Sequence, residues 1–153
     1  MTKTANTANA APPYIRQGVI LRRVLNPFVL LLGLKPALVV RGRRSGRTRS
    51  VPFDGPFEHG RRRYLVSPMG DTNWVRNLRV AGKGELRRGR HAERFRVVEL
   101  RGAERDAIVT AYASSLTCGC RAYMRRLPDP AAHPVFRIEA SEEDMSPTSG
   151  QPG

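Results

Sequence analysis

Apolar residues fall into short runs separated by glycine, proline and basic clusters, and the period of each run predicts an element. Residues 15–33 read as a helix ended by Gly33, with Pro27 kinking or dividing it. Ala37, Leu38, Val39 and Val40 predict a strand over 37–42, followed by strands over 50–58 and 62–67 around a His59-Gly60 turn, together a three-strand meander. Asp71 or Thr72 stands where it can cap a short helix whose Trp74, Asn77, Leu78 and Ala81 share one face, and Gly82 and Gly84 should stop it. Strands over 85–89 and 91–100 pair around Gly89-Arg90, a helix runs from about Glu104 to Leu116, and further helical turns cover Arg121 to Leu127. A last strand, Val135 to Glu139, follows Pro134. About six antiparallel strands, an N-terminal helix and inserted helices predict an α+β domain whose sheet is closed or nearly closed into a barrel. Residues 14–140 make one domain by length, between tails at 1–13 and 141–153 whose composition predicts disorder.

Charge sharpens this picture. Lys and Arg number 27 against 13 Asp and Glu, a net +14, which draws polyanions toward the surface without choosing among nucleic acid, acidic lipid and a phosphorylated cofactor. The densest stretch is Arg41 to Arg49, where Arg41, Arg43, Arg44, Arg47 and Arg49 sit on a loop punctuated by Gly42 and Gly46. Arginine offers a planar fork of donors to phosphate or carboxylate oxygens, and Gly42, Ser45 and Gly46 should add backbone and hydroxyl donors. The loop reads as an anion site, against the plain alternative of a solvated hairpin turn. Arg61 to Arg63 and Arg87 to Arg90 read as solubilising turns, and Arg76 and Arg79 as solvated.

Cys118 and Cys120 stand one residue apart, too close to staple distant segments, and read as free thiols in a reducing compartment. His59, His91 and His133 are scattered, so neither a metal site nor a histidine triad is expected. No secretory signal is recognised near the amino terminus, so a cytoplasmic location is expected. Charges and prolines interrupt residues 19–40, which argues against a spanning helix. Residues 15–33 could still rest on an acidic membrane through Arg16, Arg22 and Arg23, with Phe28 to Leu32 dipping in, or pack across the domain's own core.

The order of motifs resembles the deazaflavin-dependent nitroreductase family of actinobacteria, small split-barrel proteins related to the flavin mononucleotide-binding oxidase barrels. The likeness is carried by Gly42-Arg43-Arg44-Ser45-Gly46 with Arg49 and Pro52, by Asn73-Trp74-Val75-Arg76-Asn77-Leu78-Arg79, and by His133-Pro134-Val135-Phe136-Arg137. It implies binding of coenzyme F420, a deazaflavin with a phosphate and a glutamate tail, with Arg43, Arg44, Ser45, Gly46, Arg47 and Arg49 against the anionic part. It implies ring contacts from Ser67, Pro68 and Met69 and from Trp74, which its spacing also marks as core-facing. Tyr112 and Tyr123 are the candidates for the acceptor side, each with a core role as the alternative. The activity implied is hydride transfer to a small planar organic acceptor such as a quinone, a nitroaromatic or an enone. A homodimer is a further implication. The alternatives are a non-catalytic F420-binding protein, flavin mononucleotide as cofactor, and a basic nucleic-acid-binding module. A lone phosphate hardly calls for five arginines, and Tyr64, Trp74 and Phe95 are not interleaved with the basic residues as a base-stacking platform requires.

Overall fold

A computed structural model describes residues 36–116 and 118–141. The expected helix at 15–33, the tail at 1–13 and all but Ser141 of the carboxyl-terminal tail lie outside the described residues. The strands are β1 (Ala37–Arg41), β2 (Thr48–Pro52), β3 (Phe57–His59), β4 (Arg62–Val66), β5 (Lys83–Arg88), β6 (His91–Glu99) and β7 (Val135–Ala140). The helices are α1 (Asn73–Ala81), α2 (Gly102–Ser115) and α3 (Cys118–Arg126), with a short 3₁₀ turn at Pro130–Ala132. All pairings are antiparallel, in the order β2-β1-β5-β6-β7-β4-β3, and the sheet curls into a half-barrel of the split-barrel type.

Two expectations are corrected. The single strand expected over 50–58 is two strands, which makes seven in the sheet rather than six. Between them Gly55 takes φ 102, and Pro52 and Pro56 have no N–H to extend a ladder. The expected meander is also absent, because the β1–β2 and β3–β4 hairpins lie at opposite edges of the sheet. β5 takes the inner side of β1, and β7 takes the inner side of β4.

Alternation along the strands builds two cores. Leu38, Val40, Leu65, Leu86, Phe95 and Phe136 point into the half-barrel, where they meet Val75 and Leu78 of α1. Tyr64, Val66 and Val135 point outward and are covered by Ile108 and Val109 of α2, with Leu100. Burying each large interior side chain contributes about 1.5–3 kcal/mol, so the interior cluster is the main fastening of the sheet to α1. Gly82, with φ 67, ends α1 and donates its N–H to the Leu78 carbonyl at 2.8 Å. Gly84 does not stop the helix as expected but lies within β5. There a Cβ would come 2.9 Å from the Phe95 ring and 3.1 Å from the Val39 carbonyl oxygen.

Strand polarity sorts the connections by end. The loop 42–47, the loop 67–72 and the entry to β7 at 133–134 leave from one end of the sheet. The β3–β4 and β5–β6 turns and the exit of β7 leave from the other.

Candidate functional site

The β1–β2 loop is a closed turn before it is an anion site. Gly42 donates its N–H to the Arg47 carbonyl at 2.8 Å, Gly46 donates to the Gly42 carbonyl at 2.9 Å, and the Arg47 N–H reaches Ser45 Oγ at 3.3 Å. Arg41 Nε donates to the Gly46 carbonyl at 3.2 Å. Gly46 has φ 67, and a Cβ on buried Gly42 would sit 3.0 Å from the Arg47 oxygen, so both glycines are required by the turn. The expected backbone donors are therefore corrected. The N–H groups of Gly42 and Gly46 close the loop on itself rather than facing a ligand.

One arginine of the loop is turned inward. Asn77, only 7% exposed on α1, accepts the Arg43 backbone N–H at 3.2 Å and the Arg43 Nη1 at 2.9 Å on the same Oδ1 atom. A buried amide needs partners, and here the partner is the arginine loop. Arg44, Arg47 and Arg49 are exposed, and no carboxylate among the described residues pairs with them. Three guanidiniums, unpaired among the described residues, thus stand on this hairpin, Arg44 and Arg47 on the loop fixed to α1 and Arg49 on β2.

The loop after β4 leaves from the same end. Ser67 is fully buried, and its hydroxyl donates to the Gly70 carbonyl at 2.6 Å. Its N–H donates to the Pro134 carbonyl at 3.0 Å. His133, 1% exposed, sets Nδ1 at 3.1 Å from the Ser67 carbonyl oxygen and Nε2 at 2.6 Å from that of Leu127, tying this loop to the end of α3. Ser67 shapes the turn, and half-buried Pro68 and Met69 form its crest. Thr72 occupies the cap position of α1, yet its Oγ1 is buried with no hydrogen-bond partner among the described residues.

Trp74 packs edge-on to Phe53 at 5.8 Å and tilted against Phe136 at 6.2 Å, beside the interior core. Tyr112 lies edge-on to Phe57 at 5.4 Å in the outer cluster, and Tyr123 is half-buried on α3. Neither tyrosine joins the interior cluster on which Trp74 packs.

Arg76 and Arg79 keep solvent-facing side chains, 40% and 37% exposed, but both are paired to carboxylates. Asp71, 6% exposed, receives Arg76 Nε at 2.7 Å and Arg79 Nη1 at 2.6 Å, and Arg79 also reaches Glu99 at 2.7 Å. Hydrogen bonds with Glu99, then Asp71, hold the Arg79 guanidinium above its ordinary pKa. The Asp71 spacing to these arginines is not a helical one, and the Glu99 partner is remote, so no sequence pattern marks the network. A cleft of about 270 Å³ opens beside it, lined by Leu78, Gly82, Val97 and Phe136 with Arg79, Glu99 and Arg101. Among the described residues no group of three or more His, Cys, Asp or Glu could hold a metal ion, and no helix is long and apolar enough to cross a membrane.

No protein-family model matches the sequence, and no curated protein matches it. Solved structures do share the architecture. An F420-H2 dependent reductase is 21% identical, with a TM-score of 0.51, over 68% of this chain and 92% of its own. A structure described as a domain-swapped dimer gives the same identity and TM-score over 68% of this chain and 78% of its own. These likenesses establish a shared split-barrel fold.

Proposed function

We propose that this chain is an F420-dependent oxidoreductase acting on a small planar organic acceptor such as a quinone, a nitroaromatic or an enone. The observation that carries the reading is the trio Arg44, Arg47 and Arg49, exposed and unpaired among the described residues, on the β1–β2 hairpin whose loop Asn77 fixes through Arg43. The donor set fits the group. Several planar forks suit a phosphate followed by carboxylates, and a lone phosphate as in flavin mononucleotide would leave most of them unused. When bound, the deazaflavin supplies the hydride.

The protein's part is positioning. Arg44, Arg47 and Arg49, with the Ser45 hydroxyl, would hold the anionic handle, while the crest at Pro68 and Met69 and the apolar body of Trp74 would border the ring. Such catalysis rests on orientation and exclusion of water rather than on a proton-transfer triad. Support comes from the shared fold with an F420-H2 dependent reductase, and a homodimer is supported by the neighbour described as a domain-swapped dimer.

The test is a fluorescence titration of purified protein with oxidised F420, flavin mononucleotide and duplex DNA, followed by oxidation of reduced F420 with quinone or nitroaromatic acceptors. The expected result is saturable F420 binding and acceptor-dependent oxidation. Binding without oxidation would make the chain a carrier of the cofactor, and binding to DNA alone would reject the reading.

A further inference from the structure

The start of α1 lacks the cap that its sequence offers. Asp71 gives one carboxylate oxygen to Arg76 and the other to Arg79. Thr72, at the cap position, makes no side-chain bond to the helix. Its Oγ1 is the one buried side-chain nitrogen or oxygen that finds no hydrogen-bond partner among the described residues, and Thr72 is only 5% exposed. The first turn holds no acidic residue, and no described residue accepts the N–H groups of Asn73, Trp74 and Val75. An unfilled buried hydroxyl at an uncapped helix start costs stability, about 1 kcal/mol for the missing cap alone, so its retention calls for a use.

These donors adjoin an aromatic wall. Trp74, in the same turn, packs edge-on to Phe53 at 5.8 Å and against Phe136 at 6.2 Å. The loop that carries Thr72 also carries half-buried Pro68 and Met69, and the Thr72 N–H donates to the Gly70 carbonyl at 2.9 Å, which holds the residue against that loop. Asn77, in the next turn of α1, ties the helix to the arginine loop through Arg43. One rigid element thus carries both the anchor of the anion loop and a set of unfilled donors.

The chemistry narrows what fits. Asp71 is buried next to Thr72, and the two arginines that meet it are already paired, so a phosphate or carboxylate at the helix start would meet a like charge. A neutral carbonyl oxygen on the edge of a flat ring meets no such repulsion, accepts from a hydroxyl and from helix N–H groups, and leaves the ring's face for Trp74. On the F420 reading, on which this step rests, we infer that Thr72 Oγ1 and the first-turn N–H groups of α1 receive a carbonyl oxygen of the deazaflavin ring.

Fluorescence titration of the full chain with oxidised F420 of short and long glutamate tail tests this, using wild type, Thr72→Val and Thr72→Ser. Thr72→Val keeps the shape of the side chain and removes the donor, so it should weaken binding about fivefold, the scale of one hydrogen bond, and by the same factor for every tail length. Thr72→Ser should restore most of the affinity. Infrared difference spectra should place the carbonyl stretch of the bound ring higher in Thr72→Val than in wild type. The urea midpoint of unliganded Thr72→Val should be unchanged or raised, because the hydroxyl has no partner to lose among the described residues. Unchanged affinity, an unshifted carbonyl band, a loss that grows with tail length, or a lowered midpoint would each overturn the inference while F420 binding by wild type stands. Failure of wild type to bind F420 would overturn the reading itself and the inference with it.

Discussion

At one end of the half-barrel Arg44, Arg47 and Arg49 stand on a loop whose anchor, Asn77, is only 7% exposed. At the other, Arg61, Arg62, Arg88 and Arg90 stand on turns joined by Arg63 and Glu93, whose side chains are 33% and 36% exposed. Burial makes the difference. A hydrogen bond inside the protein is weakly screened and costly to leave unmade, whereas an ion pair a third exposed is loosened by salt. The first end should therefore present a preformed loop, and the second a pair of turns whose spacing responds to ionic strength and acid.

The largest effect should strike both ends alike. Phe136 belongs to the interior cluster shared by β1, β5, β6, β7 and α1. Phe136→Ala should cost about 3–5 kcal/mol in urea unfolding, with F420 binding at the loop and the Arg63–Glu93 pairing at the turns weakened together. A loss confined to one end would show that the ends do not share a core. Next, Asn77→Ala strands the Arg43 N–H and removes a guanidinium partner. A loss of about 1–3 kcal/mol is expected, with weaker F420 binding. Titrating F420 against this variant and against Glu93→Gln separates the two ends.

Smaller effects sharpen the contrast. Thr72 Oγ1 is buried without a partner, so Thr72→Val should raise stability by up to about 1 kcal/mol, readable as a shift in the urea midpoint. Hydrogen bonds from Arg63 hold the Glu93 carboxyl below the usual carboxylate range. Its contribution is therefore complete above the unfolded-state pKa and is lost as pH falls through the lower folded value. Glu93→Gln should cost less than about 1 kcal/mol at neutral pH. That cost should vanish in strong acid, as measured by paired unfolding curves, and a cost independent of pH would show that the pair is not the fastening.

The elements were largely legible because periodicity is local. Trp74 and Leu78 marked the buried face of α1, and Leu38 to Val40 marked β1. The arginine loop was legible as a feature of composition, and the place of Asn77 on the buried face of α1 was legible from its spacing. Strand order was not legible. β1 has two partners, one adjacent in sequence and one beginning at Lys83, and no local pattern distinguishes the second from a continued meander. Nor did sequence show that Gly42 and Gly46 direct their N–H groups into the loop, or that Asp71 gathers Arg76 and Arg79, since those contacts depend on folded geometry. Two of the carboxylates that pair with arginines, Glu93 with Arg63 and Glu99 with Arg79, lie on a strand remote in sequence from their partners.

The most direct measurement is the affinity of wild type and Arg44→Ala/Arg49→Ala for F420 species differing only in the number of tail glutamates. If the exposed guanidiniums of the loop grip the acidic handle, the double variant should lose more affinity as the tail lengthens. Equal losses for short and long tails would contradict the account.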